Sequence, residues 1–271
     1  AGLTSVETLT STAGARMTSA TLGTKAQAAG IATVTLADTT AVDKLVVSAD
    51  FTNALTVNLD ADNTANTVDA SASSATVTIV AGDDELDTTA STLKGGSGSS
   101  DVLKIATGGN DLVVADSANW SGIETFTTTG NNAFGIALND GANAAGGSIT
   151  VNAESLTSTA LTLDLSAETD GAYTVKLKGS GNHIITLGQG NDTLQVHDVT
   201  TGVITVTGTG GNNTITTAEG NDIITVGSGN DNITSGLGAD TIKSTNGALD
   251  QNDTVAAGAG TDTIQYTNAS T

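Results

Sequence analysis

The chain repeats itself every nine residues over its last third, and that period constrains the fold more than anything else in it. In "GSGNDNITSGLGADTIKS", residues 227–244, one nine-letter pattern is written twice. With the acidic position as zero, the register holds His183, Asp192, Asn213, Asp222, Asp231, Asp240, Asp253 and Asp262. Two residues on stand Ile185, Leu194, Ile215, Ile224, Ile233, Ile242, Val255 and Ile264. Two residues before zero stand Gly181, Gly190, Gly211, Gly220, Gly229, Gly238 and Gly260, with Gln251 the exception. Glycine suits a turn whose backbone takes positive φ or approaches a ligand closely, and the three residues after the turn make a minimal strand whose middle side chain points inward. Two such units make one coil. Residues eighteen apart then stack, which places Asp222 beside Asp240 on one edge, with Asp231 beside Asn213 on the other. Asp253 and Asp262 follow a four-residue insertion, which leaves their place in the stack open.

The rest of the chain is also strand and turn. Short β-branched runs recur about every ten to twelve residues, among them "ATVTL" at 32, "KLVVS" at 44, "LTVNL" at 55, "SITVNA" at 148 and "VITVTG" at 203, separated by Gly, Asn, Asp and Ser. Even spacing of short strands predicts an all-β chain, a parallel β-solenoid or β-roll with strands stacked about 4.8 Å apart. The one helix expected lies around Lys25 to Ala29. A longer repeat overlies the short one: "LTSVETLTSTAG" near the start returns as "WSGIETFTTTG" at 120, and "ALTVNLDA" at 54 returns as "ALTLDLSA" at 160. The organisation read from this is a first β-solenoid module over 1–117, a second, related β module over 118–200, and a tail of nonapeptide repeats over 201–271.

Charge narrows the partners. The 271 residues carry 29 Asp and Glu against 8 Lys and Arg, a net charge of −21. Nucleic acid and anionic membrane both demand a basic footprint that eight cations cannot supply, so neither is expected as a partner. Without Cys there are no disulfides, thiolate metal sites or thiol chemistry. No run reaches the ~20 apolar residues of a membrane helix. The opening "AGLTSVETLT" has neither Met nor the pattern of a signal peptide, and reads as a processed form or a fragment of something longer.

Stacked aspartates need neutralising. Two carboxylates about 4.8 Å apart repel by roughly 3–4 kcal/mol at an effective dielectric of 20. A hard divalent ion that takes six to eight oxygens, from carboxylates and turn carbonyls, meets this demand. The stretch at 227–244 resembles the RTX nonapeptide repeat, Gly-Gly-x-Gly-x-Asp-x-(apolar)-x, in which turns bind Ca²⁺ between adjacent coils. The likeness is strongest at 188–196 and 227–244 and fair at 218–226 and 258–266. It implies several Ca²⁺ ions held at Asp192, Asp222, Asp231, Asp240, Asp253 and Asp262, with Gly190, Gly220, Gly229, Gly238 and Gly260 shaping the turns. His183 and Asn213 replace the Asp. "AGDDELDT" at 81, "KGGSGSSDVLKI" at 94 and "TGGNDLVV" at 107 are imperfect members, and add Asp84, Asp101 and Asp111 as lesser candidates.

Over most of its length the chain is similar in style to the crystalline surface-layer (S-layer) proteins of Gram-negative bacteria, through its Thr-, Ala- and Gly-rich strands, its "SVET" and "GIET" segments and its RTX-like run without Cys. That likeness implies a secreted, extracellular structural protein that leaves by type I secretion, assembles with copies of itself on the cell surface, and has cell-surface polysaccharide as a further partner. An RTX adhesin, a biofilm-matrix module and the calcium-binding region of an RTX exoenzyme are the alternatives. No enzymatic role is expected: His183 and His197 lie on separate repeats, and Asp83, Asp84 and Glu85 read as turn acids. Trp120, Phe126 and Phe134 are expected to form a small satellite core.

Overall fold

A computed structural model describes residues 6–11, 19–36, 43–59, 65–87, 91–108, 111–142, 147–198, 201–245 and 248–267. Within them the chain winds as an all-parallel β-solenoid with few helices. A twelve-stranded sheet runs from Thr8–Thr10 to Thr254–Ala256 and crosses both expected module boundaries without a break. The opposite wall changes partway. A five-stranded sheet, from Ala20–Leu22 to Trp120–Ser121, serves the first half, and an eight-stranded sheet, from Asp111–Leu112 to Thr263–Thr267, serves the second. One coil, between residues 102 and 124, contributes to all three sheets. The two members of the longer repeat fall differently on this frame. Thr8–Thr10 and Thr125–Thr129 share the twelve-stranded sheet, whereas Leu55–Leu59 lies in that sheet and Leu161–Asp164 in the eight-stranded one.

Strand alternation builds the core. In the twelve-stranded sheet Leu103, Phe126, Val151, Val175, Leu194, Ile215 and Ile233 stack coil on coil, and in the eight-stranded sheet Leu163, Ile185, Val206, Ile224 and Ile242 do the same, all buried. Each such side chain removed from water contributes roughly 1.5–3 kcal/mol, so the stack replaces the aromatic core that a chain with 2% aromatic residues cannot build. The nine-residue register thus alternates between the two walls, as a coil of two units requires. Trp120 stacks on Phe126 with ring centroids 6.1 Å apart, and both are buried with Phe134 in the continuous core of the solenoid rather than in the expected satellite core.

The helix at Thr24–Ala29 ends on Gly30 at φ 81°, and the acids Asp83–Leu86 form a further helical turn rather than an open loop. Tail coils close in eighteen residues, Thr205 over Ile223 over Thr241. The insertion does not break the stack. Asn232 pairs with Thr254 and Thr241 with Thr263, so the extra residues are absorbed between Thr245 and Asp253.

Candidate metal centre

The zero-position residues form two columns at the entrances of the strands. Along the twelve-stranded sheet the register sets Asp101, Glu124, Ile149, Tyr173, Asp192, Asn213, Asp231 and Asp253 in line, and along the eight-stranded sheet Leu161, His183, Ile204, Asp222, Asp240 and Asp262. Their polar members point into the corner of the coil. Asp101, Asp192, Asn213, Asp222, Asp231, Asp240 and His183 are at most 2% exposed, which no solvated turn acid would be.

One hydrogen-bond rule explains the columns. Each polar member accepts the backbone N–H of the column residue one coil earlier: Asp222 from Ile204 (2.8 Å), Asp240 from Asp222 (2.9 Å), Asp262 from Asp240 (3.1 Å), Asn213 from Asp192 (2.9 Å), Asp231 from Asn213 (2.8 Å) and Asp253 from Asp231 (2.7 Å). Asp192 takes the N–H of Tyr173 at 2.8 Å, Asp101 that of Val77 at 2.6 Å, and Glu124 that of Asp101 at 2.8 Å. These N–H groups stand where each strand begins, and leaving one buried without an acceptor would cost about 1–3 kcal/mol.

The preceding residue works in the other direction. Asn182, Asn191, Asn212 and Asn221 accept the N–H of Val203, Asn212, Asn230 and Ala239 one coil later, at 2.7–2.8 Å. At Asn191-Asp192 and Asn221-Asp222 the dipeptide therefore ties its turn to both neighbours, and Asn212-Asn213 does the same. The sequence reading missed this asparagine, although "GND" at 190 and 220 carried the signal. It also missed Glu124, because the first residue of its strand is not preceded by aspartate.

What the second carboxylate oxygen does separates the candidates. Asp192 gives it to the Gly188 N–H (3.1 Å), Asp101 to the Gly96 N–H (2.8 Å) and Asp253 to the Asp250 N–H (2.6 Å). Oδ2 of Asp222, Asp231 and Asp240 is buried and has no hydrogen-bond partner. Thr217 lies beside Asp222, but its one proton goes to the Ser235 carbonyl at 2.7 Å. No lysine or arginine reaches these oxygens among the described residues; the ion pairs there are Lys94–Asp69, Lys178–Asp198 and His197–Glu154, all on the surface. A buried carboxylate oxygen without donor or cation is strongly unfavourable. Three in successive turns fit a hard cation that binds through oxygen.

The electrostatics agree. Burial pushes the Asp222 carboxyl above its usual range, the Ile204 N–H draws it down, and Asp240 pushes it up again. Burial also raises Asp231, the Asn213 N–H and, to a lesser extent, the Asn213 side chain draw it down, and Asp253 adds to the rise. Asp192 is pushed up to about 6, mainly by burial, despite its two N–H donors. His183 is pushed down to about 4 by burial. Its Nδ1 accepts the Leu161 N–H at 3.0 Å, so the neutral ring carries its proton on Nε2, which is buried and unpartnered.

The glycines fit the columns. Gly220, Gly238 and Gly260 take φ of 122°, 136° and 148°, and a Cβ on Gly238 or Gly260 would run into the carbonyl oxygen of Gly220 or Gly238 one coil earlier. Gly229 and Gly190 are as tightly stacked, on Gly211 and Gly171. Asp84 and Asp111 stand apart from both columns, and are exposed. Asp83, buried beside Asp84, accepts the Gly108 N–H at 2.6 Å. A second group of acids, Asp140, Glu168 and Asp170, brings carboxylate oxygens within 4.8 Å of one another. There Glu168 is held by the Tyr173 hydroxyl (2.9 Å) and the Gly171 N–H (3.0 Å), and Asp140 by Thr169.

A β-solenoid with stacked glycine turns and buried, cation-demanding aspartates is the class of protein these observations define. The profile of the RTX calcium-binding nonapeptide repeat matches in four copies, over residues 207–242 and 248–265. The chain carries RTX calcium-binding repeats in a β-roll, and the three orphan oxygens at Asp222, Asp231 and Asp240 lie within the matched residues. Such repeats are calcium-binding motifs, consistent with several Ca²⁺ ions. No curated protein and no solved structure matches the chain.

Proposed function

We propose that the chain is a structural, non-catalytic part of a secreted surface-layer protein, folded by calcium outside the cell and assembled with copies of itself on the cell surface. The observation that carries this reading is the set of partnerless buried oxygens at Asp222, Asp231 and Asp240. Extracellular calcium modules bind at about 10⁻⁴–10⁻³ M, so such turns stay open where calcium is scarce and close where it is plentiful. That behaviour suits a protein that must cross an export channel unfolded, and RTX repeats are typical of type I secretion.

The test is circular dichroism and light scattering of the purified chain as calcium is added, with electron microscopy of the native cell surface before and after chelation. The expected result is a cooperative gain of β structure, ordered assembly, and a lattice that dissolves with chelator. A β spectrum and melting temperature unchanged by calcium removal would overturn the reading. Calcium-dependent folding of a chain that stays monomeric and binds glycan or protein would favour the adhesin or matrix alternative, and a catalytic partner domain on the native protein would favour the exoenzyme one.

A further inference from the structure

The tail contains one turn in which the repeat has changed its chemistry. Asn213 occupies the zero position between Asp192 and Asp231, is 1% exposed, and its Oδ1 accepts the Asp192 N–H at 2.9 Å as an aspartate would. Its Nδ2 does something no aspartate can: it donates to the Gly210 carbonyl at 3.1 Å and lies 3.5 Å from that of Gly211. One residue thus satisfies the N–H of the coil before and the carbonyls of its own turn. At Asp222, Asp231 and Asp240 the atom in the same place is a bare Oδ2 without partner.

From this we infer that the turn at 208–213 is a calcium-independent seam, in which the Asn213 amide group takes the place that a cation holds in the turns of Asp222, Asp231 and Asp240. The inference rests on the reading of those aspartates as calcium ligands. Donor chemistry carries it. A carboxylate turns acceptor oxygens toward a turn already lined by carbonyl acceptors, so only a cation can bridge them, whereas a carboxamide offers one acceptor and two donors and closes the same gap by itself. Asp231 accepts the Asn213 N–H at 2.8 Å, so the seam is joined directly to the first turn of its column whose carboxylate keeps an orphan oxygen. It provides a preformed edge on which calcium-dependent turns stack, and the eight-stranded side lacks an equivalent because Ile204 stands in the column above Asp222.

Three variants of the whole chain test this: Asn213→Asp, Asn213→Ala and Asp231→Asn, each measured for bound Ca²⁺ per chain by equilibrium dialysis and for melting temperature in chelator and at saturating calcium. Asn213→Asp is expected to bind one ion more than wild type, to melt several degrees lower in chelator, and to recover at saturating calcium. Asn213→Ala is expected to lose stability in both conditions, without recovery. Asp231→Asn is expected to bind one ion fewer and to melt higher than wild type in chelator. An unchanged ion count in Asn213→Asp, its failure to fold at saturating calcium, or an Asn213→Ala protein as stable as wild type would overturn the inference while leaving the calcium reading intact. A wild-type chain that binds no calcium would overturn both.

Discussion

Asp240 shows what a single residue must do here. Its Oδ1 caps the Asp222 N–H and its Oδ2 has no protein partner. Asp240→Asn keeps the cap and removes the second anionic oxygen, so it should bind one calcium fewer, whereas Asp83→Asn, outside both columns, should leave the count unchanged; a calcium titration of the two variants checks this. His183 occupies the corresponding place earlier in the same column and obeys a different pH rule. Its folded pKa of about 4 lies below the usual 6.5, so its contribution is fully present above pH 6.5 and is lost as pH falls through about 4. A shift of this size corresponds to on the order of 3 kcal/mol. His183→Asn keeps an oxygen for the Leu161 N–H and removes the titration, and should flatten that acid-side loss in denaturant melts between pH 6.5 and 4.

At the scale of the turn, stacking leaves no room for side chains along the glycine line. Gly238 sits at φ 136° directly over the Gly220 carbonyl, so Gly238→Ala meets both backbone strain and a clash. The loss should be at least about 1–3 kcal/mol, and calcium should not restore it, since the obstacle is steric. Gly98 is a control: a Cβ there meets nothing closer than the Ser74 carbonyl at 3.8 Å, and Gly98→Ala should be near neutral. Thermal melts of both variants, with and without calcium, separate the two cases.

Across the whole molecule, charge sets the response to pH. Burial holds Asp192 at about 6 and raises Asp101, Asp116, Glu124, Asp222 and Asp231. A carboxyl whose folded pKa lies above its unfolded value adds stability that is fully present below about pH 4 and is lost as pH rises through the folded pKa, near 6 for Asp192. Among the described residues these six raised carboxyls oppose the lowered His183 and the lowered surface carboxyls Asp69, Asp140 and Asp198, whose shifts water screens. The metal-free chain should therefore melt at a higher temperature at pH 4–5 than at pH 7, and calcium at pH 7 should narrow or reverse the difference; melting curves at both pH values, with and without calcium, decide it.

Beyond calcium, which the resemblance to the RTX repeat implied, the nine-residue spacing of glycine, aspartate and isoleucine was enough to specify a parallel stack, the eighteen-residue coil, the partnership of Asp222 with Asp240 and the demand for a hard cation. These follow from period and residue chemistry alone, because a repeat can bury its apolar position only against its own neighbours. The three-residue strands Ala20–Leu22, Thr67–Asp69 and Thr92–Lys94 were not legible, since each is too short for an alternating pattern to show. Nor could the letters distinguish Asp192 from Asp231, which share Gly-Asn-Asp and a glycine four residues earlier. The folded chain separates them: Gly188 turns its N–H onto the second oxygen of Asp192, while that of Asp231 is left without a donor. Whether a carboxylate needs a metal depends on which backbone groups its own turn and the adjacent coils bring within about 3 Å of it. A local repeat fixes the residue that faces the corner of the coil, and only the stacked turns decide what it meets there.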